Sequence, residues 1–291
     1  MEKIKAGIEI TRWPNCIMAA FAVIVGSLAS GFYYNPQIFN LIIGFLAAFL
    51  TAASGNVIND IMDYDIDAIN APERAIPSGR FTQKAATIEA ITLMTIGVCI
   101  IFFTLNIYMI IIITTGSVLI VLYSIKLKRM GFIGNVTIGI LTSYCLMLGG
   151  AGQSTLLNWF PLIIAFWPAL IAFIMNIGRE ITKGIDDIIG DKAENVKTLP
   201  VLIGAKKSAY LVVMIMILTL ILSPFPYMLG YFNTIYLLIT VFIVDVMIVY
   251  NIISILRDNS SENCHKLKKI QKFAMFIGLI SFLLGSIKLP F

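Results

Sequence analysis

Long apolar stretches alternate with short charged ones along the chain, and this alternation predicts the architecture before any single motif does. Nine stretches, at about 13–31, 39–58, 84–103, 107–124, 132–151, 158–180, 207–223, 234–256 and 270–288, approach or exceed the ~20 apolar residues a helix needs to cross a bilayer's hydrocarbon core. Their apolar runs are continuous, without the period-2 alternation of membrane barrel strands. Only helices and closed barrels satisfy their own backbone in lipid. The pattern therefore predicts an all-α, polytopic membrane protein of nine transmembrane helices. The first stretch, from Trp13, is too long for a signal peptide and lacks a convincing small-residue cleavage site, so it reads as a retained span.

Composition agrees with that reading. Of 291 residues, 59% are hydrophobic and 13% charged, with a mean hydropathy of +0.92; a globular domain carries about a quarter charged residues. No nucleic-acid partner is expected of such a chain. The charge is also one-sided. The loops after the first, third, fifth and seventh spans are short and uncharged, as in Gly31–Gln37 and Ser223–Met228, whereas the N-terminus and the other loops carry all 21 basic residues except Lys288. The positive-inside rule then places the N-terminus and charged loops in the cytoplasm and the C-terminus outside, in a cell-membrane protein. Cys16, Cys99 and Cys145 fall in apolar runs and Cys264 in a polar loop; no pair has metal-ligand spacing. His265, the single histidine, reads as a surface residue among lysines.

Two of the cytoplasmic segments carry chemistry. In residues 56–80, Asn59, Asp63 and Asp67 recur every four residues, on one face of a continued helix, with Asp60 beside them. Like charges on one face repel unless a cation lies between them, and Mg²⁺ takes one or two carboxylates and completes its shell with water and phosphate oxygens. A solvated helix end would explain one such cluster. Residues 179–204 supply a second: Asp187 and Asp191 again stand four apart after an apolar run, Asp186 adjoins them, and Leu199-Pro200 follows as Ile76-Pro77 follows the first. Each cluster ends the second helix of a four-helix block. The chain thus reads as one membrane domain holding duplicated modules, 13–124 and 132–256, plus a ninth helix at 270–288.

Basic residues bracket these acids. Arg74 and Arg80 follow the first row, Lys126 follows Tyr123-Ser124 at a span end, and Arg179 and Lys183 precede Asp187 by about two turns and one turn. Acids among bases describe a site for a metal and a diphosphate together. Lys3, Lys5, Lys266, Lys268, Lys269 and Lys272 read as topology determinants. Arg12 and Trp13 suit an interfacial anchor, and Arg12 with Asn15, one turn on, equally suits a cavity wall. Asp245, the ionisable residue deep in a span, is either a satisfied structural carboxylate or part of a polar cavity, and Glu89 lies near enough to the interface to snorkel.

A diphosphate ester with a lipid tail satisfies all of this. Metals and bases would neutralise charge growing on the departing diphosphate, and an allylic tail would leave a stabilised cation for an acceptor to capture. Asn59-Asp60-x-x-Asp63-x-x-x-Asp67 and Asp187-x-x-x-Asp191, with Tyr123-Ser-x-Lys126 and the Pro77-Ser-Gly79 turn, resemble the motifs of the UbiA superfamily of intramembrane prenyltransferases over nearly the whole chain. The resemblance implies helices around a central cavity open to the cytoplasm and laterally to lipid. It implies that Asn59, Asp63, Asp187 and Asp191 bind Mg²⁺ with the diphosphate, that Asp67 supports them, and that Lys126, Arg74, Arg179 and Lys183 contact phosphates. Many members have Arg-Pro where this chain has Arg74-Ala75.

Within the superfamily, Asn59-Asp-Ile-x-Asp-Tyr-x-Ile-Asp67 and Ile76-Pro-Ser-Gly-Arg80 look most like archaeal digeranylgeranylglyceryl phosphate synthases. That resemblance implies geranylgeranyl diphosphate as donor and the sn-2 hydroxyl of geranylgeranylglyceryl phosphate as acceptor, with Arg12 as a candidate for the acceptor's phosphate. An aromatic prenyltransferase acting on a quinone precursor makes the same use of the motifs. A cation-coupled transporter is the rival of another class, but its sites usually lie at the midplane, and both acidic rows here lie at span ends.

Overall fold

The computed structural model describes residues 2–33, 35–193 and 196–287. Lys288, placed outside by the charge pattern, falls beyond them, as does the C-terminus. The described residues are helical with connecting turns and contain no strand. A short helix α1 (Glu2–Thr11) leads into α2 (Trp13–Ala29); α3 (Ile38–Met62) is followed by the small α4 (Tyr64–Asn70); then come α5 (Gln83–Ile101), α6 (Ile107–Ile125) and α7 (Phe132–Gln153). The second half holds α8 (Phe160–Asp186), the short α9 (Ile188–Ala193) and α10 (Leu199–Ile203), α11 (Ala205–Leu222) and α12 (Phe225–Met228). It ends with α13 (Thr234–Ile239), a π-helical turn at Thr240–Asp245, α14 (Val246–Arg257) and α15 (Ser261–Gly285).

Seven of these units are long and apolar enough to cross a membrane, or eight if the bent pair α1–α2 counts as one span. Residues 270–285 of the ninth predicted span form the second part of α15, which starts at Ser261 and carries Glu262, His265, Lys266, Lys268, Lys269 and Lys272 in its first half, so its apolarity is confined to the second. Cys264 accordingly lies buried in a helix and not in a loop.

The helices approach closely where residues are small, as lipid-immersed helices do in the absence of a hydrophobic drive between them. A methyl on Gly26 would stand 2.1 Å from the Leu146 carbonyl oxygen, and one on Gly149 2.2 Å from that of Val23, so α2 and α7 touch backbone to backbone. At the membrane surface α1 is pinned over the first acidic segment. Arg80 donates to both Glu9 oxygens, at 2.7 and 3.0 Å, and Asn56 Nδ2 donates to the Thr11 carbonyl at 2.8 Å. Ala6 and Ile10 pack on Val57, Ala75, Ile76, Ala86 and Ala90. The bend between α1 and α2, 45°, sits at Arg12, whose φ of +50° is left-handed.

Candidate active site

A cavity of about 550 Å³ lies among α2, α3, α6, α7, α8 and α15, within the usual range for a small-molecule site. Its ends differ in chemistry. Towards the C-terminal ends of α3, α6 and α8 it is lined by Asn15, Asn59, Tyr123, Ser124, Arg179, Glu180 and Lys272; deeper, by Ala48, Ile112, Ile113, Leu148, Pro168 and Phe282. Along α3, Ala48, Thr51, Ala52, Gly55, Asn56 and Asn59 keep the three- and four-residue spacing of one helix face. From Ala48 to Asn59 the helix rises about 16 Å. The charged groups in the lining are Arg179, Glu180 and Lys272, all at the polar end. Asp245 is absent from it; its Oδ2 accepts from Ser223 Oγ at 2.9 Å while its Oδ1 is buried without a hydrogen bond among the described residues, so it is neither fully satisfied nor part of this cavity.

The acidic rows do not lie on unbroken helices, contrary to the expected single face. α3 ends at Met62 and Asp63 takes φ −94°, ψ 6° before α4 begins; α8 ends at Asp186 and Asp187 takes φ −89°, ψ 5° before α9. The first aspartate of each Asp-x-x-x-Asp thus occupies the same turn at the same kind of helix end. The break sends neighbouring side chains to different partners. Asn59 faces the cavity, with its Oδ1 buried and without a hydrogen bond. Asp60 pairs with Arg12, Asp63 with Lys128, and Asp67, buried, with Arg74 Nη1 at 2.5 Å. The hydrogen bond to Asp67 raises the Arg74 pKa above its ordinary value. In the second row Asp191 Oδ2 accepts from Thr198 Oγ1 at 2.9 Å, and the Asp187 side chain makes no hydrogen bond or ion pair among the described residues.

Asn15, Asn59, Tyr123 and Arg179 are thus the predicted site residues that line the cavity. Arg12, Asp63, Asp67, Arg74, Lys126, Lys183, Asp187 and Asp191 are outside its lining, on helix ends and turns beyond the polar end. Lys126, which ends α6, and Lys183 make no ion pair among the described residues; Lys128, two residues past Lys126, is the one that reaches Asp63. Arg179 pairs with Glu180 at 2.5 Å. Asp186 turns away from the cavity: Ser261 Oγ donates to it at 3.0 Å, His265 Nδ1 lies 3.0 Å away and Lys268 forms an ion pair with it. His265 is exposed, as expected, and also helps dock α15 on the end of α8. Sequence reasoning missed Lys128, Glu180, Asn176 and Lys272; of these, Asn176 carried a signal, as a lone amide well inside an apolar span.

Among the described residues no three His, Cys, Asp or Glu side chains converge on a point. A Mg²⁺ site with a bound diphosphate does not require that, because phosphate and water oxygens complete the shell. The orphaned Asn59 Oδ1 and the all-oxygen set of Asp63, Asp187 and Asp191 suit this hard cation.

A helical membrane protein whose cavity is polar at one end, apolar at the other and flanked by two matched aspartate turns has the form of an intramembrane transferase for lipid-tailed substrates. The chain matches the UbiA prenyltransferase family over residues 19–280 and belongs to it. It is 38% identical over 280 residues to digeranylgeranylglyceryl phosphate synthase of Methanosphaera stadtmanae, covering 96% of this chain and 98% of that one. A solved structure of a digeranylgeranylglyceryl phosphate synthase superposes with a TM-score of 0.84 at 36% identity, covering 99% of this chain and all of that one. A UbiA homologue from Archaeoglobus fulgidus, solved with GPP and Mg²⁺, shares the fold with a TM-score of 0.66 at 14% identity, covering 95% and 99% of the two chains.

Proposed function

We propose that this chain is a digeranylgeranylglyceryl phosphate synthase: it transfers the geranylgeranyl group of geranylgeranyl diphosphate to the sn-2 hydroxyl of geranylgeranylglyceryl phosphate in ether-lipid biosynthesis. The observation that carries the reading is the full-length likeness, in sequence and in structure, to enzymes of that name. The two-ended cavity supports it. In this reading nine helices cross the membrane, the polar end faces the cytoplasm, the cavity opens laterally to lipid, the C-terminus lies outside, and the matched turns at Asp63 and Asp187 are relics of duplicated four-helix modules.

The residues act as follows. The tail lies among Ala48, Ile112, Ile113 and Leu148, and the diphosphate sits at the polar end. Asn59, Asp63, Asp187 and Asp191 would hold Mg²⁺, the ion with which a UbiA homologue of the same fold was solved; bound there, it would supply Lewis acidity to the leaving group. Asp67, buried against Arg74, keeps that arginine beside the first turn. Arg74, Lys126, Arg179 and Lys183 contact the phosphates and stabilise charge as the C1–O bond breaks and its electron pair leaves with diphosphate. The rings of Tyr123 and Tyr144, both in the cavity wall, face the developing allylic cation. The acceptor oxygen then bonds to C1 and its proton is lost, giving an ether.

The test is product formation by purified protein in detergent with Mg²⁺, labelled geranylgeranyl diphosphate and three acceptors: geranylgeranylglyceryl phosphate, 4-hydroxybenzoate and dihydroxynaphthoate. Transfer to the glyceryl phosphate alone, lost with EDTA, is expected. Transfer to an aromatic acceptor would overturn the substrate, and absence of any reaction with the donor would return transport as the leading reading.

A further inference from the structure

Of the two basic residues in the cavity lining, Arg179 is paired with Glu180, whereas Lys272 has no carboxylate within ion-pair distance among the described residues. Lys272 lies on α15, whose register against α8 is set by two contacts: Gln271 Nε2 donates to Thr182 Oγ1 at 3.1 Å, and Lys268 pairs with Asp186. In this antiparallel register Lys272 stands level with about Ile181, less than a turn from Arg179 and about one and a half turns from Asn176 on α8. On those turns two donors lack acceptors: Asn176 Nδ2, on a side chain only 5% exposed that lines the cavity, and Arg179 Nε. A buried donor without a partner costs roughly 1–3 kcal/mol, and an oxygen-rich ligand on this wall would relieve that. α15 packs chiefly on α8, α13, α14 and α2, and so faces the cavity from the side away from the first aspartate turn.

We propose that Lys272, backed by Asn176, docks the acceptor's phosphate on the α8–α15 wall without metal, leaving Arg179 to the donor diphosphate. The inference rests on the phosphorylated acceptor of the proposed function. Two anionic groups must enter one cavity end, and they repel unless separately neutralised. The donor diphosphate has both aspartate turns and their cation; a monophosphate needs a positive group with no carboxylate competing for it, and Lys272 meets that description. A phosphate held there leaves the glycerol hydroxyl directed towards the cavity centre, where C1 of the donor lies. The chemistry is unchanged: the hydroxyl oxygen bonds to C1, the diphosphate departs with the electron pair, and the proton passes to solvent or base.

The experiment compares wild type, Lys272→Gln, Lys272→Arg and the surface control Lys269→Gln, with geranylgeranylglyceryl phosphate and with its dephosphorylated alcohol as acceptors. Loss of one charge-assisted contact is expected to raise the KM for the phosphorylated acceptor about 10- to 100-fold in Lys272→Gln, to move the donor KM far less, and to abolish the wild type's preference for the phosphorylated acceptor. Lys272→Arg should recover most of the loss, and equilibrium binding of the phosphorylated acceptor in EDTA should weaken in parallel. An unchanged acceptor KM, an equal rise in both KM values, or a wild type indifferent to the acceptor's phosphate would overturn the inference while leaving prenyl transfer intact. Transfer by wild type to aromatic acceptors alone would overturn the proposed function, and this inference with it.

Discussion

Asp67 is buried and the Arg74 that meets it is partly exposed, an asymmetry that decides what each contributes. Truncating Arg74 strands a buried carboxylate, which costs more than the pair itself contributes. Arg74→Ala should therefore lower stability by about 1–3 kcal/mol, read as a drop in Tm in detergent, and adding Asp67→Asn should recover most of it; additive losses would mean that the pair is not coupled. Cys264 gives a second check. Burial pushes its thiol pKa up to about 12, so at pH 8 it stays almost wholly protonated. The thiolate is the reactive form, so Cys264 should resist alkylation at pH 8 until the protein is unfolded. Rapid alkylation in the folded state would contradict the packing of α15 from Ser261 onward.

At the scale of helices, the closest approach of α2 and α7 rests on glycines. Gly149→Val should cost at least the ~1–3 kcal/mol typical of overpacking, because what it meets is the α2 backbone, which cannot rotate away. Gly278→Ala, with nothing within 4 Å of the added methyl, should leave Tm unchanged or raise it; equal effects of the two substitutions would contradict the close crossing. The spans themselves were legible in the sequence because a continuous apolar run has few other fates in lipid, and α3, α5, α6 and α14 end within a few residues of the predicted limits. What periodicity did not reveal was the break at Asp63 and Asp187, since a single turn residue inside a four-residue repeat leaves the repeat intact. The early start of α15 was hidden for a different reason: its first half is too polar to count as a span, and capping by Ser260 was the readable sign. Lys126 sits in the Tyr-Ser-x-Lys motif, which points to it alone, but after α6 ends at Ile125 the turn at Lys126 delivers Lys128 to Asp63.

For the whole molecule, the proposed function requires two distant segments to act on one diphosphate at one cavity end. Each segment alone is a helix end with a few carboxylates; in the proposed function the two act together beyond the polar end of the cavity, on a charged head whose lipid tail lies inside it. If they form one site, their losses cannot add, because removing either half already removes the function of the other. The measurement is release of diphosphate from labelled geranylgeranyl diphosphate, with acceptor present, by wild type, Asp63→Asn, Asp187→Asn and the double variant, each checked for folding by its Tm. The account predicts that each single substitution lowers kcat by about 10²–10³ and that the double variant is little worse than either. Near-normal turnover in either single variant, or losses that multiply in the double, would contradict it.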